Sequence, residues 1–304
     1  MAGETLTTLD TARVERLVHL CHRVSMTYLE YSGHDPNWLG APESEASREQ
    51  SYCISPLTDR SWRPGFVASA YHLAQLNTAL VASHALSLAR LISEEAPPQG
   101  MPAAADAISR AGIEAAARAW WLLEPSIGPT ERVVRYLADM VYSSYEAEEY
   151  VGALGHPKAD TASLGLFPTV SQHTRMCNEL GFSFSGARSR NPVVNGRVRP
   201  SNTSLVNQLI GDTPYRHQRK AVYSLTSGSQ HATTFAILRN YVATGAARGR
   251  SREIVPLITQ EAIDFSVASL LTTYIAVMRR AVYLLGWGHI TIDMFELSLH
   301  KTFR

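Results

Sequence analysis

Three polar side chains in one segment have the types and spacing for chemistry. Tyr223, Ser227 and His231 are spaced by four residues, and such a step turns an α-helix by about 40°, so the three share one face. His231 could act as a general acid or base, and Ser227 could be a nucleophile that this histidine activates. The row could instead bind a polar ligand, or fill a polar contact where helices pack closely over Gly228.

Two other segments could bring further polar side chains to this row. His84 lies between Leu80 and Leu88 on an apolar seam, which predicts that it is at least partly buried. Glu114 and Arg118 form an i,i+4 pair. Buried, such a pair would fix an orientation or serve a site, whereas on a helix surface it contributes only a few tenths of a kcal/mol, roughly. We expect His84 and Glu114 to approach the row from neighbouring helices, and we predict His84, Glu114 and Arg118 as ligand-binding residues.

Charge is distributed unevenly along the chain, although 28 Lys and Arg against 27 Asp and Glu give a formal net charge of only +1. From Gly186 to Arg252 the sole acidic residue is Asp212. The basic residues of this stretch, called the basic stretch below, are Arg188, Arg190, Arg197, Arg199, Arg216, Arg219, Lys220, Arg239, Arg248, Arg250 and Arg252.

A single-sign stretch of this kind attracts phosphate or an acidic partner, and arginine contacts phosphate in a bidentate manner. We therefore predict that Arg188, Arg190, Arg197 and Arg199 bind a nucleic acid or a phosphorylated ligand if they are exposed. The alternative is that the basic stretch packs beside acidic residues elsewhere in the chain, for example in the 146–149 region.

Several classes of protein are disfavoured by what the sequence lacks. The three cysteines, Cys21, Cys53 and Cys177, are too far apart for a disulfide framework or a zinc ribbon. Neither Glu-x-x-His on paired helices nor His-Glu-x-x-His is present, so we expect no metal and no cofactor. The amino-terminal residues are not those of a secretory signal, and the most apolar segment is interrupted by arginines, so a cytoplasmic protein without a membrane partner is expected.

Helical periodicity dominates the chain and predicts an all-α, multi-helix bundle. Residues 33–63 are rich in Pro, Gly, Ser and Asp and are expected to form a long loop. The expected helices cover about residues 8–32, 66–93, 103–124, 129–154, 168–181, 201–211, 214–244, 257–286 and 288–301.

One segment departs from the helical pattern. Asn195-Gly196 lies between apolar pairs, and this dipeptide is typical of a two-residue β-hairpin turn. The predicted organisation is an N-terminal helix and long loop over 1–63 and a bundle over 64–304 with this short hairpin inserted, the two parts forming one continuous domain.

The sequence also resembles a known group of proteins. The carrying motifs are Glu114-x-x-x-Arg118-Ala119-Trp120-Trp121-Leu122-Leu123, Arg199-Pro200-Ser201 and Tyr223-x-x-x-Ser227-Gly228-x-x-His231. They resemble a family of helical actinobacterial proteins that is similar to the HEPN-like superfamily, over about residues 66–285. The resemblance implies a helical fold, association with nucleotides or RNA, and a role in defence or a toxin–antitoxin pair.

One part of that superfamily's pattern is not matched. Its ribonucleases use an Arg followed after four to six residues by a His, late in the bundle. Here Arg13 with His19, and Arg16 with His22, have the spacing but lie in the first predicted helix, and no Arg precedes His231 at that distance. The resemblance therefore does not extend to ribonuclease activity.

Three functions remain open from the sequence. The first is a binding or regulatory protein that meets nucleic acid or a phosphorylated ligand through the basic stretch. The second is a hydrolytic or acid–base enzyme that uses the row on one helix. The third is a plain interaction scaffold, and a homo-oligomer is compatible with all three.

Overall fold

The computed structural model describes residues 6–51, 65–93, 101–154, 170–186, 191–214, 222, 241–244 and 253–303. The helices in these residues are α1 Thr11–His34, α2 Glu45–Gln50, α3 Gly65–Ile92, α4 Met101–Leu122, α5 Pro129–Ala153, α6 Val170–Glu179, α7 Asn202–Gly211, α8 Gln260–Leu285 and α9 Ile290–Thr302. The predicted all-α, multi-helix bundle is confirmed.

Local sequence signals explain where several helices begin and end. Asp10 accepts a hydrogen bond from the amide of Arg13, and Ser201 caps α7 through the amide of Ser204. Gly286 adopts the left-handed conformation (φ 65°) that ends α8. Ser44 caps the short helix α2, which lies inside the expected long loop and which the composition of that segment concealed.

Two small sheets accompany the helices. Their strands are β1 Leu6–Thr8, β2 Phe184–Ser185, β3 Val193–Val194, β4 Arg197–Val198, β5 Tyr241–Thr244 and β6 Glu253–Thr259. The expected Asn-Gly hairpin is present, since β3 and β4 pair antiparallel across Asn195 (φ 50°) and Gly196 (φ 75°), and β2 extends that sheet.

The second sheet has the strand order β1-β6-β5. Strands β5 and β6 lie where the periodicity predicted helical residues. Tyr241–Thr244 was expected to end a helix, and Glu253–Thr259 overlaps the expected start of the next one. Both strands are rich in β-branched side chains, which favour extended backbone, and β6 pairs antiparallel with β5 and parallel with β1.

A single cluster of buried apolar side chains joins α1, α3, α4, α5, α8 and α9. The central helix α4 packs against α3, α7 and α8. By length and mean hydropathy α8 is, among the described residues, the one helix that could cross a membrane. However, 72% of its most apolar window is buried inside the bundle, as in a core helix.

A buried ion pair connects α2 to α5. Arg132, fully buried, donates from Nε and Nη2 to the two carboxylate oxygens of Glu49 at 2.6 and 3.0 Å. Tyr71, whose pKa is raised by burial, donates its hydroxyl proton to the same carboxylate at 2.9 Å. Arg132 Nη1 also donates to the carbonyl oxygen of Leu122, at the end of α4. Every group in the pair has partners, which is the condition under which burial of two charges is tolerated.

Replacing Arg132 by methionine should lower the free energy of unfolding by about 3–5 kcal/mol, because Glu49 is then buried without its cation. Arg48→Gln is the control: Arg48 is next to Glu49 in the chain, but its side chain is 68% exposed, and its loss should cost about 0–1 kcal/mol. Chemical denaturation of both variants measures the difference. Equal losses in the two variants would show that the buried pair has no special role.

Candidate functional site

The row predicted as a catalytic or ligand-binding site, Tyr223, Ser227 and His231, lies outside the described residues. Arg188 and Arg190 also lie outside them. The role predicted for these five side chains therefore stays a prediction.

Three of the other predicted residues lie close together. Glu114 and Arg118 are one turn apart on α4, and Arg199 lies between β4 and α7. The carboxylate of Asp139 on α5 joins two of them: its Oδ1 accepts from Arg199 Nε at 2.8 Å and lies 3.5 Å from Arg118 Nε. Three elements thus converge on one buried carboxylate.

Each nitrogen of the Arg199 guanidinium donates a hydrogen bond inside the protein. Besides Asp139, it donates from Nη1 to the carbonyl oxygen of Pro200 at 2.9 Å and from Nη2 to Asn202 Oδ1 at 3.0 Å. Its guanidinium carbon lies 3.8 Å from the centre of the Tyr142 ring, a cation–π distance. The residue is only 1% exposed, so Arg199 is not part of an exposed basic surface.

Glu114 extends the same network on the other side. Its Oε1 accepts from Arg110 Nε at 2.9 Å, and its Oε2 lies 3.5 Å from Asn202 Nδ2. We call the connected set the arginine cluster; its members are Arg110, Glu114, Arg118, Asp139, Arg199 and Asn202. It contains three arginines and two carboxylates.

Arg118 has one donor without a hydrogen-bond partner. Its Nε is buried without a hydrogen-bond partner, since the geometry toward Asp139 is not that of a hydrogen bond. Its Nη2 donates to Ser143 Oγ at a long 3.3 Å, and its side chain is 27% exposed. Because Nε itself is closed to solvent, an anion could approach Arg118 only through the exposed part of its side chain.

Arg197 and His84 contact groups that are not part of the arginine cluster. Arg197 is 69% exposed on the hairpin, where its Nε pairs with Glu131 at 3.2 Å. His84 is half-buried on α3, its pKa is lowered by burial, and it packs against Gly112 of α4. Gly112 and Glu114 are about 200° apart around that helix, so His84 and Glu114 contact opposite sides of it.

The structure does contain a serine–histidine contact, at residues that the sequence analysis did not select. Ser144 Oγ on α5 lies 3.0 Å from His173 Nδ1 on α6, and both residues are 1% exposed. Burial lowers the pKa of His173 to about 4. Because neither side chain reaches solvent, this contact joins two helices and is not positioned to attack a substrate.

The sequence analysis did not select Asp139 and Asn202 as site residues, because no nearby residue in the sequence identifies their partners. One signal was available: Asp139 is a lone carboxylate in the buried seam of Val134, Leu137 and Val141, where a charge needs a partner. Within the described part of the chain, no three His, Cys, Asp or Glu side chains are grouped as a metal ion would require.

Comparisons with known proteins return no relative: no protein-family model, no curated protein and no solved structure matches this chain. The resemblance to the HEPN-like superfamily therefore stays a prediction.

The buried imidazole of His173 should make stability depend on pH. Since its pKa falls from 6.5 in the unfolded chain to about 4 in the folded one, the unfolded state binds more protons between these values. Stability should therefore be complete above about pH 6.5 and fall as pH decreases toward about 4, by at most about 3 kcal/mol.

Urea denaturation at pH 7 and pH 5 measures this loss in the wild type and in His173→Gln, which should lose less stability over the same interval. His22→Gln, at an exposed position on α1, is the control and should behave as the wild type. The same pH dependence in His173→Gln and the wild type would assign it to other groups.

Proposed function

We propose that this chain binds a phosphate-bearing ligand, in the first place a single-stranded nucleic acid, with Arg118 of the arginine cluster as a contact residue. The observation that carries the proposal is the partly exposed side chain of Arg118, which shares the carboxylate of Asp139 with Arg199 and whose Nε has no hydrogen-bond partner. Arg199 forms a hydrogen-bonded ion pair with Asp139. Arg118 is therefore the arginine beside this carboxylate that we propose contacts an anion.

A phosphate group fits the chemistry that Arg118 offers. A guanidinium presents parallel N–H donors that match two oxygens of a phosphate, and such charge-assisted pairs are among the stronger hydrogen bonds. The ring of Tyr142 lies 5.8 Å from the Arg118 guanidinium carbon and 3.8 Å from that of Arg199. A cation held against an aromatic face keeps its orientation, which lowers the entropy lost on binding.

The surrounding sequence favours a polyanion over an isolated phosphate. The described segment 191–214 contains Arg197, Arg199 and Asp212, and all three have ion-pair partners. The basic residues of the basic stretch outside the described residues are Arg188, Arg190, Arg216, Arg219, Lys220, Arg239, Arg248, Arg250 and Arg252, and no acidic residue accompanies them there. An extended chain of phosphates is the ligand that such a distribution of charge attracts most.

The alternative, that the basic stretch is neutralised inside the protein, holds for its two described arginines. Glu131 pairs with Arg197 and Asp139 pairs with Arg199. The proposal therefore rests on Arg118 and not on these two residues. It differs in this respect from the sequence-based expectation, which placed the contact at Arg188, Arg190, Arg197 and Arg199.

Wild-type protein should bind a fluorescein-labelled single-stranded RNA at low salt, with an affinity that falls steeply as salt rises, because phosphate contacts release counterions. Arg118→Gln should weaken binding several-fold and make the slope of log K against log salt shallower by about 0.7, the value for one phosphate contact on a single strand. Fluorescence anisotropy at several salt concentrations measures both.

Arg48→Gln removes the same charge from an exposed position on α2 and is the matched control, which should retain the wild-type slope. Thermal melts should show that both variants remain folded. Absence of RNA binding at low salt would refute the nucleic-acid proposal, and identical slopes in wild type and Arg118→Gln would remove Arg118 from the contact surface.

A further inference from the structure

Helix α9 exposes large apolar side chains on the side that faces away from the core. The apolar residues that it buries in the central cluster are Ile292, Phe295 and Leu299. On the opposite side, Ile290, Met294 and Leu297 are 75, 54 and 47% exposed. Their spacing places them within about 60° of one another around the helix, and Lys301 continues the row. We call these four residues the outer face of α9. A helix that is apolar all round is usually buried all round, so the outer face needs a partner.

Neighbouring helices extend this apolar surface. Tyr283 of α8, which is exposed, lines an open groove with Asp293 at the start of α9. Met26 of α1, also exposed, lies one turn before Glu30, which accepts a hydrogen bond from Thr291 Oγ1 of α9 at 2.9 Å. With the apolar residues of the outer face, Tyr283 and Met26 present on the order of 500 Å² of mostly apolar surface, at about 100 Å² each. An exposed apolar patch of about 300–600 Å² is often an interaction site.

Opposite charges lie at the two ends of the outer face. Lys301 is exposed at its carboxyl end, and Glu30 is exposed beside its amino end, where it contacts Thr291. Within the part of the chain that the structure describes, neither Lys301 nor Glu30 forms an ion pair. Two copies of α9 packed antiparallel bring the carboxyl end of each helix to the amino end of the other. Lys301 of each copy then approaches Glu30 of the other copy, so one symmetric contact pairs all four charges.

We infer that a second copy of this chain covers the outer face, and that the two copies form a twofold-symmetric dimer with their α9 helices antiparallel. The axis passes midway between Met294 and Leu297, so Met294 of each copy contacts Leu297 of the other. By the same symmetry, Ile290 contacts the apolar stem of Lys301. With the charged residues on its flanks, the surface approaches the roughly 800 Å² per partner that a standard interface buries.

The dimer is independent of the proposed phosphate binding, because no member of the arginine cluster lies on α1, α8 or α9. Loss of RNA binding in Arg118→Gln and loss of the dimer in the variants below are therefore separate results.

Sedimentation velocity of the full chain over a range of concentrations measures the dimer. The wild type should change from monomer to dimer as its concentration rises, and its melting temperature should rise in parallel. Leu297→Glu places an unpaired carboxylate at the centre of the contact and should weaken the dimer at least tenfold. Leu76→Glu is the matched control: Leu76 lies on α3 and is 49% exposed, against 47% for Leu297, and its substitution should leave the dimer unchanged.

Charge exchange tests the antiparallel arrangement. Glu30→Lys alone, or Lys301→Glu alone, places like charges at both symmetric contacts and should weaken the dimer several-fold. An equal mixture of these two variants should form a heterodimer, because each contact then joins a lysine to a carboxylate. The double variant should dimerise like the wild type for the same reason.

Three results would overturn the inference. The first is a wild type that stays monomeric at about 100 μM, well above a micromolar dissociation constant. The second is equal dimerisation of Leu297→Glu and Leu76→Glu, and the third is a mixture of the two charge variants that associates no better than either variant alone. A monomeric wild type that binds vesicles of neutral lipid, with Leu297→Glu failing to bind them, would assign the outer face to a membrane surface instead.

Discussion

The carboxyl end of α4 is closed by arginine side chains, and the packing of the bundle depends on these contacts. The last carbonyl groups of a helix lack partners within it and carry partial negative charge. Here the carbonyl oxygens of residues 120, 121 and 122 accept from Arg280, Arg135 and Arg132 respectively. Two of these arginines lie on α5 and one lies on α8. The hydrogen bonds at the end of α4 therefore connect α4, α5 and α8.

The same arginines also cover the aromatic and acidic groups around that helix end. Arg280 lies 3.6 Å from the Trp120 ring centre and pairs with Glu124 and Asp212, while Arg132 pairs with Glu49. Arg118 differs from them, because it shares its carboxylate with Arg199 and keeps an unpaired Nε. Arg132, Arg135 and Arg280 therefore hold the bundle together, whereas Arg118 is the arginine that we propose contacts a ligand.

Features set by local chemistry could be predicted from the sequence, and features set by distant partners could not. Asn195-Gly196 identified the hairpin, and Gly128-Pro129 identified the start of α5, because each signal acts within a few residues. The pairing of β1 with β6 joins residues at opposite ends of the chain and has no local signature. The partners in the candidate site were also not predictable from local sequence. The sequence analysis selected Arg118 because of its i,i+4 spacing from Glu114. In the structure, the carboxylate next to Arg118 is that of Asp139, on another helix.

Side-chain NMR of the arginines tests the central claim most directly, because it reports each Nε–H separately in one sample. On titration with a short single-stranded RNA at low salt, the Nε–H signal of Arg118 should shift and become slower to exchange. Those of Arg132 and Arg199, held by buried carboxylates, should stay where they are. An Arg118 signal that does not move at saturating RNA, or uniform shifts in all three, would contradict the claim that Arg118 is the arginine kept free for a ligand.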